Sequence, residues 1–263
     1  MFDSHCHLHD ASVAAPDALA ERARAVGVRG FLLAGVAPDS FAAQTALARR
    51  HRDMVVAYGV HPQVVTELDD RALDGALDAL AAALSAKELV RPVAIGETGL
   101  DRNGPDRRAS QALQERAFRA QLALARAHDL PVVLHILDAH GPALHVLRRD
   151  GVPAAGGVMH SYSGPAELVA DYVALGLSIS FAGALTYGGA RKAPRAARAV
   201  PDARLLVETD APFQTPAERK PAPNEPAFLP LVIEALAKAR AQDPNELCRL
   251  TEANARRLFL RGS

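Results

Sequence analysis

The chain has 263 residues, 49% hydrophobic and 23% charged, an ordinary globular composition that excludes a disordered or collagen-like protein. No apolar run approaches the roughly 18 residues of a membrane-spanning helix, and no basic stretch leading into an apolar core marks a secretion signal. Lys plus Arg and Asp plus Glu balance at 30 each, which argues against a broad cationic surface for gripping long duplexes but leaves room for a small cleft charged by metal ions.

Along the chain a short apolar strand alternates with a longer helical stretch rich in Ala, Leu and Arg. Strands are expected at residues 1–5, 30–34, 54–59, 93–96, 131–135, 157–160, 176–181 and 205–209. Helices are expected between them at 17–26, 39–50, 70–86, 111–128, 141–149, 166–175 and 191–199, and two more close the chain at 226–241 and 244–258. In the stretch 111–128, Leu113, Ala117, Phe118, Leu122 and Ala125 fall on one helical face, the pattern of a helix covering a sheet. No change of composition marks a second domain. This alternation predicts an α/β protein: a (β/α)8 TIM barrel, one domain over residues 1–263. Cys6 and Cys248 lie at opposite ends and form no framework, so a reducing, cytoplasmic setting is expected, with Cys6 filling space.

In such barrels the chemistry sits at the carboxyl ends of the strands. His5 and His7 follow the first predicted strand, and because they are two apart in an extended segment they present both imidazoles to one point. His61 follows the third strand and Glu97 the fourth; His135 ends the fifth, His160 the sixth, and Asp210 follows the eighth. A binuclear site is expected, with His5, His7 and Asp210 on one ion, His135 and His160 on the other, and Glu97 as the bridge. Imidazoles and carboxylates in this mixture suit zinc, manganese or magnesium. Two such ions about 3.5–4 Å apart clamp a phosphoester and activate water. A lysine bridge is not expected, because no lysine ends an apolar run. Asp210 is also placed to hold the proton of the attacking water. Glu208 either adds a carboxylate to the site, even for a further metal, or pairs with an arginine. His9, His51, His128 and His145 read as surface or helix-end residues, and His140 as the start of a helix.

Taken together, Asp3-Ser4-His5-Cys6-His7-Leu8, Gly59-Val60-His61-Pro62, Ala94-Ile95-Gly96-Glu97-Thr98-Gly99-Leu100-Asp101, Leu130 to His135, His160-Ser161-Tyr162-Ser163-Gly164, Glu208-Thr209-Asp210-Ala211-Pro212 and Asn224-Glu225-Pro226 resemble the TatD family of metal-dependent deoxyribonucleases, amidohydrolase-like barrels. The resemblance covers nearly the whole chain. It implies two divalent ions on the ligands named above and hydrolysis of DNA phosphodiesters from the 3′ end. DNA ends or short single-stranded oligonucleotides are the implied substrates. It also makes His61 a substrate-phosphate or catalytic contact and puts Asp101 behind the ligands or beside the substrate.

Two positions depart from the family pattern. Leu137 stands where the family usually has Arg two residues after the fifth-strand histidine, and Pro223 replaces the Arg that usually precedes Asn224. Arginine is the side chain suited to bidentate phosphate recognition, and Arg219 and Lys220 are the nearest substitutes in sequence. The alternative reading is therefore hydrolysis of a non-DNA ester, amide or aminoacyl-tRNA on the same metals. A non-catalytic barrel is a third reading, but it should have lost ligands, and none is lost.

Overall fold

The computed structural model describes residues 1–260. All the predicted strands form: β1 (Phe2–Cys6), β2 (Gly30–Leu33), β3 (Met54–Tyr58), β4 (Ala94–Asp101), β5 (Val132–Leu137), β6 (Gly157–Met159), β7 (Leu177–Phe181) and β8 (Leu205–Val207). They are parallel and follow one another in sequence order from β1 to β8, the topology of a (β/α)8 barrel. Near-continuous apolar runs such as Val-Val-Leu-His-Ile-Leu in β5 suit strands covered on both faces. The helices are α1 (Pro16–Ala25), α2 (Phe41–Arg50), α3 (Pro62–Val65), α4 (Asp70–Ala83), α5 (Pro105–Ala109), α6 (Gln111–Ala127), α7 (His140–Asp150), α8 (Val169–Ala174), α9 (Lys192–Ala199), α10 (Leu229–Arg240) and α11 (Pro244–Phe259). Short 3-10 turns lead into α2, α8 and α10, where the sequence pattern reads as one longer helix.

The chain gathers into two compact units. The first holds Met1–Leu33, His160–Ala174 and the segment from Ser178 onward; the second holds Ala34–Met159 and Leu175–Leu177. In the first unit β1 pairs with β2, Phe2 opposite Gly30 and Asp3 opposite Phe31. Only glycine fits opposite Phe2, because a Cβ at Gly30 would stand 2.3 Å from the Phe2 ring. The end of β8 returns to β1 through two backbone bonds, Asp210 N–H to the His5 carbonyl at 2.9 Å and His7 N–H to the Ala211 carbonyl at 2.7 Å. Those bonds set Asp210 against the His-x-His segment. α11 starts on Pro244 behind an Asp243 cap that accepts the Asn245 and Glu246 N–H groups. It is tied to β8 by Asn254, whose amide donates to the Leu205 carbonyl at 2.9 Å.

In the second unit β4 runs well past the predicted end at residue 96 and stays buried through Asp101. Its length follows from its glycines. A Cβ at Gly96, where φ is +148°, would lie 2.5 Å from the Val133 carbonyl oxygen, and one at Gly99, where φ is +140°, would lie 2.2 Å from that of His135. Both glycines let β4 lie tightly along β5, so the ladder continues as Thr98 opposite Leu134 and Asp101 opposite Leu137. α6 buries Ala117, Phe118, Leu122 and Ala125 as the periodicity predicts, with Leu113 only half-buried. The same face also buries Gln114 and Gln121, which the apolar pattern does not anticipate. Each amide satisfies a backbone pair at a strand end. Gln114 accepts from Asp101 N–H at 2.8 Å and donates to the Asp101 carbonyl at 3.0 Å. Gln121 does the same for Val60, at 2.8 and 3.0 Å. The ends of β3 and β4 that carry His61 and Asp101 are thereby fixed.

Two glycines give opposite expected outcomes. A Cβ at Gly59 would meet the Gly96 backbone at 2.5 Å, so Gly59→Ala should cost about 1–3 kcal/mol or more through forced backbone shifts. Gly75, inside α4 with open space around its Cα, should gain about 0.5–1 kcal/mol from Ala. Urea unfolding at unchanged slope reads both, and a Gly59→Ala variant as stable as the parent would show that the strands can part at no cost.

Candidate functional site

In the first unit β1 delivers His5 and His7 on one side, both buried. Their Nε2 atoms approach to 3.2 Å. The Asp210 Oδ1 atom lies 3.7 Å from His5 Nε2 and 3.4 Å from His7 Nε2. Two imidazole nitrogens and a carboxylate oxygen thus converge on one point. Asp210 holds a left-handed backbone conformation, with φ at 58°, in the segment that follows β8 after Glu208 and Thr209. Its other oxygen accepts from the Gln214 amide at 2.5 Å, and that amide also donates to Ser161 Oγ at 2.6 Å. Burial pushes the Asp210 carboxyl up, but the His7 hydrogen bond and the His160 and His5 charges outweigh it and hold the group below the usual carboxylate range.

His160, just past β6, stacks on His5 with ring centroids 4.0 Å apart and planes 12° from parallel. Glu208, fully buried, decides its tautomer. The Glu208 Oε1 atom lies 3.2 Å from His160 Nδ1 and accepts the Ser161 N–H at 2.6 Å, while Ser4 Oγ donates weakly to Oε2 at 3.5 Å. A carboxylate at Nδ1 puts the imidazole hydrogen there and makes Nε2 the lone-pair donor. Glu208 is met by His160, Ser161 and Ser4 and not by an arginine among the described residues; its place is behind His160. Beneath the histidines, Asp3 accepts the Thr209 N–H at 2.9 Å and the Thr209 hydroxyl at 2.5 Å, and burial pushes its carboxyl up to about 7 in spite of them. Cys6 packs against the same layer, and burial raises its thiol far above the usual range, so it is inert filler.

In the second unit His61, Glu97 and His135 come together, each able to offer an atom within 4.8 Å of the others. His61 caps α3, its Nδ1 accepting the Gln63 N–H at 3.1 Å. The neutral ring therefore carries its hydrogen on Nε2, which lies 3.5 Å from Glu97 Oε1. His61 is a hydrogen-bond donor here and not a lone-pair ligand. His135 is arranged the other way round. Its Nε2 faces Asp101 Oδ2 at 3.3 Å, which places the hydrogen there, and its Nδ1 faces Glu97 Oε1 at 3.6 Å as the lone-pair donor.

Asp101 is the hub behind this group. It also takes the Gln63 amide at 3.0 Å, Arg107 Nη1 at 2.9 Å and the Asn103 N–H at 2.8 Å. Burial pushes its carboxyl up, but the bonds from His135, Asn103 and Gln63 win and hold its pKa down to about 2. Leu137 lies two residues beyond His135, opposite Asp101 on the ladder.

All the expected ligands fall into these groups: His5, His7, His160 and Asp210 in the first unit, Glu97 and His135 in the second. The donor chemistry fits divalent cations. His135 turns a lone-pair nitrogen toward Glu97, His160 keeps Nε2 as its lone-pair donor, and His5 and His7 bring their Nε2 atoms together beside Asp210, a set of nitrogens and carboxylate oxygens that suits a cation. Sequence reasoning missed Arg107, Gln63 and Gln214, which lie in loops or a short helix without periodic signal, and it placed His9 on the surface, whereas the ring is half-buried 6.0 Å from His7. The aromatic His7–Phe213 contact was also unforeseen. Arg219 and Lys220 lie over the Phe228 and Tyr187 rings, at 5.3 and 3.7 Å.

A family model described as TatD related DNase matches residues 2–260. The protein named 3′-5′ ssDNA/RNA exonuclease TatD of Yersinia pseudotuberculosis is 39% identical over 246 residues, 90% of this chain and 90% of that protein. The uncharacterized metal-dependent hydrolase YabD of Bacillus subtilis is 32% identical over 263 residues, 98% of each. Among solved structures, the TatD homologue YJJV of Escherichia coli K12 superposes with a TM-score of 0.91 at 31% identity, covering 99% of this chain and 98% of that one.

Glu208→Gln should weaken binding of zinc or manganese roughly 10- to 100-fold, because an amide no longer fixes the His160 tautomer through a charge-assisted bond. Calorimetric metal titration with a native circular dichroism spectrum checks it; unchanged affinity would reduce Glu208 to a packing residue.

Proposed function

This chain belongs to the TatD related DNase family, and we propose that it removes nucleotides from the 3′ ends of single-stranded DNA or RNA with two divalent ions. It is a metal-dependent hydrolase of phosphodiester bonds, and relatives at 37–39% identity carry the name of 3′-5′ ssDNA/RNA exonucleases. The observation that carries the reading is the pairing of buried imidazoles with buried carboxylates, Glu208 behind His160 and Asp101 behind His135, which turns one nitrogen of each ring into a ligand atom. Ester, amide or aminoacyl-tRNA hydrolysis is not favoured, since those relatives are named nucleases across nine-tenths of this chain. Among the described residues no helix is long and apolar enough to cross a membrane, and both cysteines are free, in keeping with the proposed cytoplasmic setting.

The proposed ligands are His5, His7, Glu97, His135, His160 and Asp210. Four imidazoles in that set favour zinc or manganese over magnesium. When bound, the ions supply positive charge to the phosphoryl oxygens and make water acidic enough to attack at neutral pH. Asp210 enters the reaction ionised and takes the proton of the attacking water on a carboxylate oxygen, while Gln214 keeps the group from rotating. His61 donates its Nε2 hydrogen to a non-bridging phosphate oxygen, a role set by the Gln63 N–H on its other nitrogen. Arg107 supplies the guanidinium that Leu137 and Pro223 do not. One of its nitrogens is fixed by Asp101, it is 31% exposed, and its remaining donors suit a phosphate.

Asp210→Asn should lower turnover on a single-stranded oligonucleotide about 100-fold or more with the fold intact, since an amide neither takes the proton nor balances an ion. Near-parental rates with a native circular dichroism spectrum would remove Asp210 from the chemistry.

Leu137→Arg adds one charge-assisted phosphate contact, worth about 1.5–3 kcal/mol. It should lower KM more than tenfold with kcat little changed, and steepen the shallow salt dependence expected of a neutral chain. Steady-state kinetics at several salt concentrations decide it. An unchanged KM would mean that Arg107 already does the work of the absent arginine.

A further inference from the structure

Among the described residues, Val26 and Phe213 are the large apolar side chains left exposed, at 45% and 54%. Val26 caps the end of α1, an ordinary surface position. Phe213 is different, because its ring meets the His7 ring edge-on, with centroids 5.8 Å apart and planes at 67°. An aromatic face thus lies open beside an imidazole of the proposed metal site.

The backbone that carries this ring is held at each side. Phe213 N–H donates to the Asp210 carbonyl at 2.8 Å, and the Phe213 carbonyl accepts from the Asn224 amide at 2.5 Å. The same amide bonds the Thr209 carbonyl at 2.7 Å, and the Asn224 N–H returns to the Pro212 carbonyl at 3.2 Å. On the far side a Cβ at Gly183 would stand 1.8 Å from the Gln214 carbonyl oxygen, so the loop is seated directly on the backbone beneath it. Gln214 in turn ties the loop to Asp210. These anchors explain why Asn224 belongs with the site although it touches no ligand atom. Between Asp210 and Gln214 they leave Phe213 as the one exposed side chain.

A rigidly mounted, solvent-facing phenyl ring next to the reacting centre is costly to leave bare and well suited to a planar partner, since every nucleobase has a π-face and stacking is tolerant of sequence. We propose that Phe213 is a positioning residue on which the base of the 3′-terminal nucleotide stacks, so that the phosphate next to it is presented to the His5, His7 and Asp210 group. The inference rests on the nuclease reading above. It supplies substrate affinity that does not depend on cations, which matters in a chain of zero net charge lacking the two arginines.

The test compares short oligonucleotides with a normal 3′-terminal base and with an abasic 3′-terminal residue, which keeps every phosphate. With the parent protein the abasic end should raise KM on the order of tenfold, and kcat should change little. Phe213→Ala should show that higher KM on both substrates, and Phe213→Tyr should restore the difference. A second readout needs no turnover: 2-aminopurine at the 3′ end should be quenched on binding to Asp210→Asn and much less on binding to Asp210→Asn/Phe213→Ala. If the parent and Phe213→Ala discriminate equally between the two ends, or the quench survives loss of the ring, the stacking role is overturned while the nuclease reading stands. If the metal-loaded parent cleaves neither oligonucleotide, the nuclease reading falls and the stacking role falls with it.

Discussion

Burying a carboxylate is expensive unless something of opposite charge or a good donor meets it, and each unit of this protein buries more than one. In the first unit Asp3, Glu208 and Asp210 are all under a tenth exposed, and in the second so are Glu97 and Asp101. The groups that meet them are mostly imidazoles, amides, hydroxyls and backbone N–H groups; a guanidinium, Arg107, meets Asp101. Arg107 apart, such partners satisfy hydrogen bonds without bringing the full positive charge of a cationic side chain. What remains is a surplus of negative potential directed at lone-pair nitrogens, which is the electrostatic description of a divalent-cation site. The tautomers of His135 and His160 follow from the carboxylates behind them, whereas the depressed Asp210 carboxyl follows from the His7, His160 and His5 rings around it.

The scaffold serves this constraint by bringing backbone unusually close to backbone. Gly59, Gly96 and Gly99 each lie where a Cβ would overlap a neighbouring strand, so the segments that carry His61, Glu97 and Asp101 are set by backbone packing. Buried Gln114 and Gln121 then satisfy the last backbone groups of those strands, where the ladder gives out. A polar core of this kind contributes less to stability than an apolar one of equal volume, but it leaves no freedom to the side chains it aims.

The alternation of apolar runs with amphipathic stretches made the barrel legible, because period and length separate buried strands from covering helices without any knowledge of partners. The proposed ligands were picked out by the same landmarks, since each follows or ends an apolar run, although the structure sets Glu97 and His135 inside β4 and β5 and not at their ends. What could not be read were features fixed only in three dimensions. The extension of β4 depends on glycines meeting β5, which a strand boundary rule treats as a stop. The helices α3 and α5 are too short to show a period. Glu208 was balanced between two roles until the distance to His160 Nδ1 placed it, and no spacing in the sequence links residues 160 and 208.

The two missing arginines look different once the site is assembled. A phosphate-binding arginine works through a planar fork whose position must be fixed before the substrate arrives. In this chain that condition is met by Arg107, which comes from the short helix α5 after β4 and is fixed by the same carboxylate that orients His135. One residue, Asp101, therefore couples the proposed ligand His135 to the proposed phosphate contact Arg107, and a change there should disturb both. Apolar stacking on Phe213 is independent of that coupling, since its anchors run through Asp210, Gln214 and Asn224. Within the second unit the proposed phosphate donors, Arg107 and His61, are each fixed by a partner of their own, Asp101 and the Gln63 N–H, so neither has to be ordered when substrate arrives.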